Sequence, residues 1–487
     1  MPSPICLRSL SQLSLDRAAN VSITSRTLLA PQTACFSTSA ARYAAPPSKR
    51  KGMVAPPKRG ERTLNVKKGR KAPSADTGKR PAPGDRKAMR KRIVLTNDNA
   101  LEVSSLKDLD KATALSEKNE GQVRGLPEQV VDALRAVEAF KTTQGWSLFR
   151  RPATLMRKET IQLAKLLKEV EDPVDGQQKK TLRRVLSGDR MSGKSTLLLQ
   201  GLAMAFLRDW VVINLPEAQD ITNAHTDYAP LPSSQTQQYT QDTYTATLLS
   251  QILKANLKFL EATPVTTNPP LPLPLPAKPT LKHLAELGIA NPEASWPVFV
   301  ALWQELTQPG HPPIMLAIDG LSHIMRNSEY LSADVKPIHA HDLTLIRHFV
   351  DHLSGAKPLP NGGIVLAATS QSNAPTSPAL DYCVQVAEAM QSHPDNIPHW
   401  NPYKNVDQRA MDVLKDLLVP GSGGAKGLDV IRVGGLSKQE ARSIMEYYAE
   451  SGMLRAKVDD GFVSEKWSLA GMGNIGELER VSVRLRI

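Results

Sequence analysis

The stretch from Arg184 to Leu199 constrains this chain more than any other. An apolar run, Val185-Leu186, enters a loop with Gly188 and Gly193 at its two ends. Lys194, Ser195 and Thr196 follow, and then the helix-prone run Leu197-Leu198-Leu199. This is the pattern G-x-x-x-x-G-K-[ST], read as a phosphate loop when a strand precedes it and a helix follows. The two glycines let the backbone turn and approach a polyphosphate without an interfering Cβ. The amides from Met191 to Thr196 are expected to gather at the helix N-terminus, where partial positive charge accumulates. Lys194 is expected to neutralise the terminal phosphates and the Ser195 hydroxyl to hold Mg²⁺. The candidate nucleotide-binding residues are therefore Gly188, Asp189, Arg190, Met191, Ser192, Gly193, Lys194, Ser195 and Thr196.

Such a loop needs a sheet behind it, and the sequence supplies strands at domain-scale spacing. Trp210 to Leu215 reads as a strand, followed by a helix from about Asp242 to Leu260. Pro313 to Gly320 is an apolar run ending in Asp319. A buried parallel strand with a carboxylate at its carboxyl edge is placed where such sheets bind ligands. Asp319 is thus the candidate second Mg²⁺ ligand, beside Ser195. The strand Gly363 to Ala368 ends in Thr369, a candidate phosphate sensor or a strand cap. Leu428 to Val433 reads as a last strand. The fold class is α/β, a phosphate-loop nucleotide-binding core over residues 180–434 with helices on both faces of a parallel sheet. Between the helix at 242 and Asp319 lies a proline-rich segment, 264–279, whose composition favours an extended surface loop.

Residues 125–179 carry helical spacing, and Trp146 to Pro152 could dock on a partner or pack in the core. Residues 435–487 are expected to form a helical lid. Its first helix is announced by Ser437 and Glu440, three apart, as a capping box. His339, His341, His348 and His352 cluster in sequence without a cysteine or acid set to complete a zinc site, and read as surface residues.

Charge separates the body from its N-terminal arm. Residues 1–100 hold 21 basic and 5 acidic side chains; the remainder holds 40 basic and 43 acidic. Residues 1–43 are rich in Arg, Ser, Thr and Ala with the single acid Asp16, as in a mitochondrial transit peptide ending near Tyr43. Residues 44–124 begin with a Lys, Arg, Pro and Gly run that cannot bury enough apolar surface to order itself, so a basic disordered arm is expected, suited to nucleic-acid phosphates. The three cysteines, Cys6, Cys35 and Cys383, have no metal or disulfide spacing, which favours a reducing compartment. No apolar run approaches the roughly 20 residues of a membrane span.

Taken in order, the transit peptide, the basic arm, Ser187 to Thr196, Asp209 to Ala218, Asp319-Gly320 and Leu436 to Gly452 resemble the death-associated-protein-3 family, in its fungal form. The resemblance covers roughly residues 125–487, and the Trp210 to Ala218 block is its most diagnostic part. It implies an ATPase-associated (AAA+-like) fold and a place in the small subunit of the mitochondrial ribosome, in the matrix. It further implies contacts with ribosomal RNA and neighbouring ribosomal proteins, and a bound GTP, ATP or the diphosphate with Mg²⁺. Active enzymes of that fold carry a glutamate after the Mg²⁺ aspartate and an arginine in the lid's Gly-Asn-Pro-Arg pattern. Here those places hold Gly320 and the sequence Gly473-Asn474-Ile475-Gly476. Binding with little or no hydrolysis is therefore expected, since positioning and charge stabilisation are most of phosphoryl-transfer catalysis. The alternative is an active matrix ATPase or GTPase that remodels nucleic acid or protein.

Overall fold

The computed structural model describes residues 93–484, apart from 173–178, 233–235, 268, 372–375, 393–395 and 420–426. The transit peptide and the arm up to residue 92 lie outside the described residues, as does the glycine loop at 421–424. All described residues belong to the unit Pro81–Ile487.

Two short antiparallel strands, β1 (Val123–Gly125) and β2 (Ala153–Leu155), precede the main sheet. The main strands are β3 (Thr181–Ser187), β4 (Val211–Leu215), β5 (Ile314–Asp319), β6 (Gly363–Ala368) and β7 (Leu428–Arg432). They pair in the order β7-β3-β6-β5-β4, every pair parallel. Their nearly unbroken apolar character is what a sheet covered on both faces requires. Alternation along each strand divides the core. Val185, Ile213, Leu316, Ile318, Val365, Ala367 and Val430 point to one cluster. Leu182, Leu186, Val212, Met315, Ala317, Ile364, Leu366 and Ile431 point to the other.

Helices α1 (Glu128–Ala136), α2 (Lys158–Glu171) and α3 (Lys194–Phe206) cover the second face through Leu134, Leu163 and Leu202. Helices α4 (Asp242–Ala255), α5 (Leu281–Ala290), α6 (Ser295–Leu306), α7 (Thr344–Leu353) and α8 (Pro378–Ser392) cover the first through Leu248, Leu284, Phe299, Phe349 and Leu380. The helix expected from Asp242 to Leu260 stops at Ala255 and a second runs Leu257–Ala262. Asn256 interrupts it because its amide is drawn to β4: it accepts from the Val212 amide at 2.9 Å and donates to the Val212 carbonyl at 3.0 Å. Residues 264–279 form neither helix nor strand in their described part, apart from a single bridge between Pro264 and Thr280.

The C-terminal helices α9 (Lys438–Glu450), α10 (Asp460–Leu469) and α11 (Ile475–Glu479) build a third cluster, with Phe149 and Leu155 from the N-terminal segment. Ser437 and Glu440 make the reciprocal capping bonds, at 2.7 and 3.2 Å. The aromatic residues of the 146–152 stretch pack inward, Trp146 and Phe149 both being buried.

Two expectations are corrected. Residues 93–124, placed in the disordered arm on the composition of what precedes them, are structured. Leu95, Leu109 and Ala114 are buried in the second cluster, and the Leu101 amide donates to the carbonyl of Ser451 at 3.0 Å. These leucines recur often enough to repay ordering, which the preceding Lys/Pro run does not. The histidines are not surface residues either. His339, His341 and His352 are buried and His348 half-buried. On α7 the His348 and His352 rings lie 4.3 and 4.8 Å from Trp303 of α6. Burial pushes His341 and His348 down to about 3 and His352 to about 4, so all three are neutral at pH 7. Among the described residues no group of three or more His, Cys, Asp or Glu could hold a metal ion. None of the described helices is long and apolar enough to cross a membrane.

Candidate nucleotide site

Register decides where the chemistry gathers. Ala368 at the end of β6 lies level with Leu186 of β3 on one side and Asp319 of β5 on the other. The phosphate loop and the Asp319 carboxylate therefore leave the same edge of the sheet, one strand apart. With strands spaced by about 4.8 Å, their tips are separated by about 10 Å, which suits a polyphosphate lying across the edge. A cavity of about 500 Å³ opens there, the size of a small-molecule site. It is bordered by Arg190 to Leu197, Asp319, Gly320, Thr369 and, from the C-terminal helices, Tyr447, Tyr448 and Ile475.

The loop is held open by backbone conformation. Gly193 has φ +98° and caps α3, a left-handed state that other residues adopt at a cost. Met191 is also left-handed, at φ +62°. Lys194 begins the helix, and its ammonium donates to the carbonyls of Gly188 at 2.7 Å and Asp189 at 2.6 Å. Burial lowers the Lys194 pKa from its ordinary value, opposed by the nearby charges of Asp189 and Asp319. Arg157 braces the loop from beneath, donating to Ser192 O at 3.1 Å and to Gly434 O at 2.7 Å. The C-terminal segment touches the loop directly. Asn474 Nδ2 donates to Arg190 O at 2.7 Å, and the Gly476 amide to Met191 O at 3.1 Å.

Of the residues singled out in the sequence, those from Arg190 to Thr196, together with Asp319 and Thr369, border this one cavity. Gly188 and Asp189 reach the same site through their carbonyls on Lys194. The Thr369 hydroxyl donates to Leu186 O at 2.9 Å, capping the carbonyl at the end of β3. Gly320 has φ +90°, so a side chain at the position where active enzymes keep a glutamate would be strained. Near it His323, buried and bordering the cavity, has its pKa lowered by burial and by Arg326.

The far end of the cavity is apolar. Phe149 lies 5.1 Å from the Tyr447 ring and 5.3 Å from that of Tyr448. Val123 and Leu155 from β1 and β2 border the cavity beside these rings. Two features had no local signature in the sequence. One is this aromatic cluster, whose parts come from residues 149 and 447–448. The other is Lys141, whose ammonium lies 3.6 Å from Asp319 and 3.3 Å from Glu217.

A family model described as mitochondrial ribosomal death-associated protein 3 matches residues 154–481. The small ribosomal subunit protein mS29 of Neurospora crassa is 44% identical over 425 residues, spanning 86% of this chain and 87% of that protein. The small ribosomal subunit protein mS29 of Schizosaccharomyces pombe is 24% identical over 372 residues, spanning 74% of this chain and 72% of that one. A solved structure, the Walker-type ATPase paby2304 of Pyrococcus abyssi, aligns over 67% of this chain and 69% of that chain. Its TM-score is 0.32 at 15% identity, too distant to carry an argument.

Proposed function

This chain belongs to the mitochondrial ribosomal death-associated protein 3 family, and from that premise we propose that it is a structural component of the small subunit of the mitochondrial ribosome whose fold is completed by a bound purine nucleotide. It works in the mitochondrial matrix, as its relatives' assignment to the mitochondrial ribosome implies. Its partners are the small-subunit ribosomal RNA and neighbouring ribosomal proteins. The basic side chains of residues 44–91 supply a sequence-independent attraction to RNA phosphates.

The observation that carries the nucleotide reading is the register of β3, β6 and β5, which brings Lys194, Ser195 and Asp319 to one cavity. The polyphosphate is read across the α3 N-terminus, with the amides of residues 191–196 and Lys194 as its donors. The base is read against the apolar wall that Phe149, Tyr447 and Tyr448 give the cavity. The Ser195 hydroxyl and the Asp319 carboxylate are the oxygen donors that Mg²⁺ takes beside phosphates, and they fit it in kind. When bound, the metal would neutralise phosphate charge. The strand order and the lid resting on the phosphate loop support the AAA+-type reading. Gly320 and the lid sequence Gly473-Asn474-Ile475-Gly476 supply no water-positioning acid and no arginine. The nucleotide is therefore read as a structural ligand. A ligand held at about 100 times its dissociation constant adds about 2.7 kcal/mol to folded-state stability.

The test is Lys194→Ala in cells that depend on this chain, followed by gradient sedimentation of small subunits and assay of their nucleotide content. The expected result is loss of nucleotide together with a fall in assembled subunits. Full assembly without nucleotide would defeat the structural-ligand reading.

A further inference from the structure

Lys141 sits on the carboxylate assigned to Mg²⁺, and the chain is built to keep it there. The segment leaves α1 at Val137, whose carbonyl accepts from the buried Asn214 amide of β4 at 2.9 Å. Ala139 and Phe140 are buried, and the Phe140 ring meets Trp146 edge-on at 5.2 Å. The Lys141 amide donates to Gln144 Oε1 at 2.9 Å, and Gln144 Nε2 reaches Thr196 Oγ1 at 3.4 Å. The strap therefore crosses from β4 to the first turn of α3, in front of the phosphate loop. From it the Lys141 ammonium donates to Pro216 O and Glu217 Oε1 and pairs with Asp319 Oδ2 at 3.6 Å. Its side chain is only 15% exposed and that of Asp319 9%.

We propose that Lys141 is a tethered cation that competes with the divalent metal for Asp319, so that this chain holds its nucleotide without needing Mg²⁺. The proposal rests on the nucleotide reading above. The argument is one of charge and preorganisation. Glu217 follows the end of β4 and Asp319 is the last residue of the adjacent β5, Leu215 lying level with Ile318. Two carboxylates there repel each other and an incoming polyphosphate unless a cation lies between them. The ammonium does that as a point charge whose position is fixed by folding, while Mg²⁺ has to shed water and displace it. The three acceptors around Lys141 match its three N–H groups in number.

The test uses the full-length chain and fluorescent mant-ATP and mant-GTP, titrated in excess EDTA and in excess MgCl₂. The wild-type dissociation constant is expected to differ by less than about tenfold between the two buffers, one charge-assisted contact being worth about 10- to 100-fold. Lys141→Met is expected to become metal-dependent by more than about tenfold, and Lys141→Arg, which keeps the charge, to stay below that ratio. A wild-type ratio above tenfold overturns the proposal without any variant. A Lys141→Met chain that binds but stays metal-indifferent overturns it too. Absence of binding in both buffers overturns instead the nucleotide reading on which it rests.

Discussion

The coupling of the C-terminal helices to the glycine loop before α3 can be tested at two neighbouring glycines. Gly471 and Gly473 both lie in the turn between α10 and α11, with φ of +65° and +92°. Alanine costs about 1–2 kcal/mol at either position for its left-handed backbone. There the likeness ends. A Cβ on Gly471 meets nothing within 4 Å, whereas one on Gly473 overlaps the carbonyl oxygen of Leu436 and comes within 2.5 Å of Trp467 Nε1. Relief requires Leu436 to move. That breaks the bond from its amide to Gly473 O at 2.7 Å and the bond from Trp467 Nε1 to its own carbonyl at 2.7 Å. Two such bonds are worth about 2 kcal/mol, which brings Gly473→Ala to about 3–4 kcal/mol and leaves Gly471→Ala at about 1–2 kcal/mol. Urea unfolding followed by tryptophan fluorescence measures both. Because Asn474 and Gly476 hold the loop carbonyls of Arg190 and Met191, Gly473→Ala is also expected to weaken nucleotide binding, while Gly471→Ala leaves it unchanged. Equal destabilisation by the two variants would refute this description of the turn.

Three further outcomes follow from named contacts. Thr369→Val should cost about 1 kcal/mol of stability by removing the hydroxyl's bond to Leu186 O, which keeps the bond from the Thr369 backbone amide at 3.0 Å, with the preference for triphosphate over diphosphate unchanged; loss of that preference would make Thr369 a phosphate sensor. Acid should destabilise the fold through His341 and His352, whose folded pKa values of about 3 and about 4 lie below the unfolded value near 6.5. From about pH 6.5 down to about pH 4 the unfolded chain takes up protons that the folded chain does not, costing about 2 kcal/mol per histidine at pH 5, so the urea midpoint must fall from pH 7 to pH 5. Gly320→Glu should lower stability by about 1–2 kcal/mol through its φ of +90° and should not create nucleotide turnover, which a phosphate-release assay reports.

Features carried by local patterns could be read from the sequence. The strand, glycine loop and helix at 181–206, the Asp319 strand and the Ser437–Glu440 cap each depend on residues a few positions apart. Their local structure follows from spacing alone. What escaped depended on partners distant in the chain. Asn256 ends a helix because Val212 lies beside it, and His352 is neutral because Trp303 covers it. Lys141 stands in an ordinary Lys-Thr-Thr-Gln stretch. Only the parallel pairing of β4 with β5 places Glu217 and Asp319 where one ammonium can join both. Order between 93 and 124 is not legible from composition, which weighs the whole stretch and not the few apolar residues that find a core.

The most direct test is calorimetric titration of purified full-length chain with ATP and with GTP, beside Lys194→Ala. The expected result is saturable binding of one nucleotide per chain, weakened about 100-fold or more in Lys194→Ala without loss of fold. Binding is also expected to raise the unfolding midpoint as nucleotide concentration passes the dissociation constant. No binding by the wild-type chain, or equal binding by the folded Lys194→Ala variant, would contradict the assignment of residues 188–196 and Asp319 to one polyphosphate site.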